Sequence, residues 1–226
     1  MEIGAEILRW RTKLPAGVTL VAVSKTCPPQ AVMEAYDAGQ RIFGENRVQE
    51  MTAKSAVLPD DIRWHMIGHL QTNKVKYIAP FVELIHSVDS LRLLEVIDRE
   101  ARKNGRVIDI LLGVFIACEE TKSGWDAGEL TEFLQAWRAG KHPAFGNIRI
   151  RGLMGMASFT DDMTQVRSEF NGLRELFDRF RSEFFSAGDS RFDTLSMGMS
   201  GDWQVAVECG STMIRIGSAI FGARGQ

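Results

Sequence analysis

Short apolar runs rich in β-branched residues alternate along the chain with longer stretches in which apolar positions recur every three or four residues. The runs are TLVAVSK (19–25), RIFGEN (41–46), RWHMIG (63–68), ELIHSVD (83–89), IDILLGVFIA (108–117), RIRGLMGMA (149–157), TLSMGMS (194–200) and MIRIGSAIFG (213–222). Helix-type stretches begin near Glu2, Pro28, Arg47, Leu70, Leu91, Ala127, Asp162 and Gly201. Strands buried on both faces and alternating with helices predict an α/β fold, a closed parallel (β/α)8 TIM barrel. An open doubly wound sheet is the other architecture compatible with that order. In the longest helix-type stretch, Met163, Val166, Phe170, Leu173, Phe177, Phe180 and Phe184 fall on one stripe, which reads as a face packed against the barrel.

Length and composition narrow the picture. A chain of 226 residues with 45% hydrophobic content suits one barrel, so a single domain over 1–226 is expected. The segment RAGKHPAFGN (138–147) is a loop too short to divide the chain. A net charge of -2 leaves no basic footprint for nucleic acid and no field for an anionic membrane. Cys27, Cys118 and Cys209 are scattered and form no Cys-x-x-Cys pair, so neither a disulfide framework nor a zinc knuckle is indicated. The first residues lack the apolar core of a signal peptide, and no stretch approaches the roughly 20 apolar residues of a membrane span. A soluble cytoplasmic protein is the expectation.

In such a barrel the chemistry sits where the strands end. The apolar runs end in Ser24 and Lys25, Glu45 and Asn46, Gly68 and His69, Ser87 and Asp89, Ser200, and Arg215 and Gly217. Singly, Asn46, Asp89 or Glu45 reads as a helix cap. His65 and His69 are four apart in a strand-type run, which does not give the helical zinc geometry, so no metal is expected. The stretches MGMSGDW and RIGSAIFGAR bring Gly198, Ser200, Gly201, Gly217 and Ser218 to the loops after strands seven and eight. Those loops commonly hold a phosphate in this architecture.

A phosphate cradle and a strand-end lysine at one mouth point to an aldehyde ligand captured as an imine, because a lysine amine becomes nucleophilic once its environment lowers its pKa. Both a phosphosugar and pyridoxal 5'-phosphate (PLP) satisfy this requirement.

Several motifs together choose between them. VAVSKTCP, FGENRVQE, WHMIGHLQTNKVK, IHSVDS, RGLMGMA, LSMGMSGDW and IRIGSAIFGAR resemble those of the pyridoxal-phosphate homeostasis proteins over nearly the whole chain. That family's barrel is similar to the N-terminal domain of alanine racemase. The resemblance implies that Lys25 is the lysine bonded to PLP as an internal aldimine. It assigns Ser200, Gly217 and Ser218 to the phosphate, Arg215 to the pyridine nitrogen and Asn46 to the neighbourhood of the ring. Gly155 stands where many members have cysteine, and Ser218 where threonine is common.

The implied function is a carrier or buffer in vitamin B6 homeostasis that also keeps amino-acid pools balanced, with apo-PLP enzymes as recipients and no conventional turnover. The alternative is a racemase-like PLP enzyme of low activity. Alanine racemase draws a tyrosine base from a further domain, whereas this sequence runs to Gln226 and carries only Tyr36 and Tyr77, outside the shared motifs. A mouth without a lid domain makes a monomer the expected form.

Overall fold

The computed structural model describes residues 2–117, 124–185 and 192–222. The elements run α1 (Ile3–Lys13), β1 (Thr19–Val23), α2 (Pro29–Asp37), β2 (Ile42–Glu45), α3 (Val48–Ser55), β3 (Arg63–Met66), a 3-10 turn (Thr72–Lys74) leading into α4 (Val75–Ile78), β4 (Leu84–Val88), α5 (Leu91–Lys103) and β5 (Ile108–Gly113). They continue with α6 (Ala127–Arg138), β6 (Ile148–Met154), α7 (Met163–Phe184), β7 (Thr194–Ser196), α8 (Trp203–Glu208), β8 (Met213–Ile216) and α9 (Ser218–Phe221). The strands pair in parallel and in chain order, and β8 returns to β1 with Ala22 opposite Ile216. That closure is the expected eight-stranded barrel and rules out the open sheet.

Local chemistry starts the helices where the sequence changes period. Pro29 opens α2, where its missing N–H costs nothing. Ser90 and Asp162 accept amides at the starts of α5 and α7, and Asp126 with Glu129 forms a reciprocal capping box on α6. The α7 stripe buries Val166, Phe170, Leu173, Phe177 and Phe180. Its ends depart from the expectation: Met163 is 38% exposed and Phe184 only half-buried. Met163 is the first residue of the helix, and the buried stripe begins only at Val166.

Two apolar regions make the core. A large one lies between strands and helices, and a small one of Val21, Leu84, Leu111, Met154 and Met213, with Ile42, fills the lower barrel interior. Toward the lower end Arg151 forms ion pairs with Asp109 and Asp193, both at 2.7 Å. Cys27 and Cys209 are free thiols, and Cys118 lies outside the described residues. Among the described residues no helix is long and apolar enough to cross a membrane.

Between β5 and β6 the register slips after Ile110, where Arg151 is an extra residue, and Gly152 follows at φ 152°. A β-carbon there would sit 1.8 Å from the Thr194 carbonyl oxygen, so β6 and β7 can approach only with glycine in place. Gly152→Ala is expected to lower stability by about 3 kcal/mol or more, read as a shift of the urea midpoint. A midpoint equal to wild type would show that the slip has another cause.

Candidate functional site

Because side chains alternate along a strand, Val21 and Val23 follow one another on the inward side of β1, and Met213 and Arg215 do so on β8, with Lys25 two residues past the end of β1 and Gly217 the first residue past β8. The inner core membership of Val21 and Met213 fixes this parity. It turns Arg215 into the barrel, and the position of Lys25 past the C-terminal end of β1 puts that residue at the mouth above it. Gly217 lies against β1: a β-carbon at that position would be 3.3 Å from the Val23 carbonyl oxygen. Asn46 follows β2, and its backbone touches Gly68 at the end of β3.

Lys25 is half-buried in a tight turn closed by the Cys27 amide on the Ser24 carbonyl at 3.0 Å. Thr26 follows at φ 66°, the left-handed region that a β-branched side chain disfavours. Around the turn lies a buried polar group. The Ser24 hydroxyl donates to Glu45 Oε1 at 2.6 Å, and Lys54 Nζ donates to Glu45 Oε1 at 2.7 Å, to the Ser24 carbonyl at 2.7 Å and to Glu50 Oε1 at 2.8 Å. Burial raises the Glu45 pKa, opposed by the bonds from Lys54 and Ser24. Its Oε2 is buried and has no hydrogen-bond partner among the described residues.

Arg215 is 5% exposed and crosses the floor of the mouth. Nη1 donates to Ser196 Oγ at 2.7 Å and Nη2 to the Gly155 carbonyl at 3.1 Å. Desolvation brings its pKa down to about 10, partly opposed by the negative Asp202, so it stays protonated at neutral pH. Behind Ser196 the chain of hydrogen bonds continues through His86 Nδ1 at 3.0 Å and from His86 Nε2 to His65 Nδ1 at 3.0 Å. Burial lowers the His65 pKa to about 3, helped by the positive charge of Arg63. It holds His86 well below the ordinary value, with His65 and Arg215 acting in the same direction. Both imidazoles are therefore neutral.

The loops after β7 and β8 present backbone donors. The amides of Ser200, Gly201, Ser218 and Ala219 have no acceptor among the described residues, while Met199 N–H is taken by Asp202 Oδ1 at 2.5 Å. Gly198 keeps this loop tight at φ 99°, where a β-carbon would meet that of Ala206 at 2.6 Å. Ser200 and Ser218 are exposed.

Thus Lys25, Asn46, Arg215, Gly217 and the exposed Ser200 and Ser218 all belong to the same end of the barrel, although Ser200 lies four residues beyond the end of β7 rather than at it. His65 and His69 separate: His65 is inside the barrel, and His69 is exposed beside Asp89 at 3.2 Å. A side chain at Gly155 would enter the packing between Leu173 and Ile116, at 2.7 and 2.9 Å, away from the mouth. That position serves the site through its carbonyl. Ser196, His86, Glu50 and Lys54 were not singled out by the sequence. The inward parity of β4 and β7 could have found the first two.

Residues 2–225 match the family described as alanine racemase, N-terminal domain, which makes this a barrel of the alanine racemase type. Within that class, the chain belongs to the pyridoxal phosphate homeostasis protein family. A protein of that name from Aquifex aeolicus (strain VF5) is 42% identical over 91% of this chain and 86% of its own length. Another from Vibrio alginolyticus is 38% identical over 94% of this chain and 89% of its own. Among solved structures, PipY of Synechococcus elongatus PCC7942 without PLP superposes with a TM-score of 0.89 at 39% identity, covering 97% of this chain and 100% of that one. The same protein with PLP bound gives 0.84 at 38% identity, with the same coverage.

The neutral histidines set an acid limit. Their folded pKa values lie below the unfolded value of about 6.5, so the stability they contribute is complete above that pH. It is lost as pH falls from about 6.5 toward 3, at up to about 1.4 kcal/mol per pH unit for each ring. His65→Gln should lose less stability than wild type between pH 7.5 and pH 5 in urea titrations. Equal acid losses would mean that this ring does not titrate on unfolding.

Proposed function

We propose that this protein binds pyridoxal 5'-phosphate at the mouth, bonded covalently through Lys25 Nζ, and holds and hands over the cofactor in intracellular PLP homeostasis. The observation that carries the reading is Arg215, a buried, protonated guanidinium pinned from β7 and β6 beneath a strand-end lysine. A flat heteroaromatic ring with an acceptor nitrogen suits such a donor. The open amides of Ser200, Gly201, Ser218 and Ala219 suit a phosphate, with the Ser200 and Ser218 hydroxyls beside them. Gly217 permits close approach there, and Asn46 flanks the ring. The names of the relatives and the PLP-bound PipY structure support PLP as the ligand.

When bound, PLP supplies an electrophilic aldehyde and an electron-withdrawing ring. Arg215 can only donate, so a ring nitrogen facing it stays unprotonated and the ring is a weakened electron sink. A racemase-like enzyme also needs a base on each face of the ring. Tyr36 is bonded to Asp61 at 2.7 Å, just ahead of β3 at the lower end of the barrel, and Tyr77 is exposed on α4. Both facts favour holding and transfer over turnover. The same reading takes the protein as a cytoplasmic monomer with apo-PLP enzymes as recipients.

Two measurements test it. Borohydride reduction of the loaded protein followed by peptide mapping should place the pyridoxyl group on Lys25, and label on Lys74 or Lys76 instead would sink the assignment. Ser200→Ala should weaken PLP retention about tenfold, since a hydrogen bond to a charged group contributes about 1.5–3 kcal/mol. Pyridoxal without its phosphate should bind poorly, and equal affinity for the two would remove the cradle from the argument.

A further inference from the structure

We infer that Glu50 and Lys54 of α3 are positioning residues that hold the backbone of Lys25 so that its amine meets the aldehyde. The inference rests on the reading of Lys25 given above and adds residues to it. Both peptide groups that flank Lys25 are tied to α3. The carbonyl on its N-terminal side, that of Ser24, accepts from Lys54 Nζ at 2.7 Å. The amide on its C-terminal side, that of Thr26, donates to Glu50 Oε1 at 2.5 Å. Glu50 and Lys54 are one helical turn apart and paired with each other at 2.8 Å, so they act on the turn as one unit. Glu45 and the Ser24 hydroxyl complete the group from β2 and β1.

Stability alone does not explain this arrangement. Val48 and Met51 already bury the inner face of α3, and a buried ion pair is commonly no better for stability than apolar packing of the same size. The polar heads of both side chains reach the two peptide planes that orient one residue, Lys54 while also pairing with Glu45 and Glu50. That residue is followed by Thr26 in a left-handed conformation, which persists only when its surroundings enforce it. Released from α3, the turn relaxes and Lys25 leaves the mouth geometry.

The step that depends on this geometry is attachment. Deprotonated Lys25 Nζ adds to the aldehyde carbon; the aldehyde oxygen departs as water with the two amine hydrogens, leaving a carbon–nitrogen double bond, and no oxidant or reductant enters. A reaction between prepositioned groups is sensitive to small displacements of either one.

The test separates attachment from binding. Cofactor-free protein is mixed with PLP and imine formation followed by absorbance, alongside equilibrium binding of pyridoxine 5'-phosphate, which has the ring and phosphate but no aldehyde. Lys54→Met and Glu50→Leu should slow attachment about tenfold or more, with pyridoxine 5'-phosphate affinity within about threefold of wild type. Glu50→Gln keeps an oxygen for the Thr26 amide and should recover most of the rate. Lys54→Met strands Glu45 in the interior, so the half-buried Glu50 pair of variants carries the test if that protein does not fold. Attachment at the wild-type rate in Glu50→Leu, or parallel losses of attachment and pyridoxine 5'-phosphate binding, would overturn the inference while leaving the assignment of Lys25 intact. Absence of an imine on Lys25 in wild type would overturn both.

Discussion

A guanidinium in the barrel interior has to be satisfied there, and much of the upper barrel follows from that requirement. Arg215 is 5% exposed, and an unpaired charge at such depth costs several kcal/mol even after relaxation, on the order of 3–5 when one partner is removed. Ser196 on β7 and the carbonyl of Gly155 after β6 accept from it, and Asp202 supplies a nearby negative charge. Ser196 in turn must face His86, and His86 must face His65. The column is therefore a run of mutual obligations from β8 through β7 and β4 to β3. Each member is polar, buried and supplied with a partner.

Below that column the interior is apolar, and the change happens within single strands. On β4 the inward residues pass from Leu84 to His86, and on β8 from Met213 to Arg215. Two residues of rise separate a packed floor from a polar layer. Toward the lower end lie the ion pairs of Arg151. Cohesion thus concentrates at one end of the barrel and reactive groups at the other, a division found generally in this architecture.

The barrel was legible because its strands are buried on both sides, which leaves eight apolar runs separated by helical periods. Lys25, Asn46, Arg215 and Gly217 were legible because they interrupt or end those runs. Other residues were harder for identifiable reasons. Lys54 lies in QEMTAKS, where a lysine on a short helix looks like part of a solvated face, and only the fold shows it 4% exposed against Ser24, thirty positions earlier. His86 and Ser196 lie inside apolar runs, and their pairing spans 110 positions. Met163 fitted the stripe of α7 by spacing, but spacing does not say where along a helix burial begins.

The left-handed backbone at Thr26 sets conformational stability against function. A non-glycine residue there costs on the order of 1–2 kcal/mol, and glycine would accept the same angles without strain. The strain is borne by the contacts with α3, so the first strand–helix unit carries a loaded spring at its upper end. Any change that loosens α3 would then be felt first at the turn bearing Lys25, so the reactive end of the barrel takes its shape from a neighbouring helix.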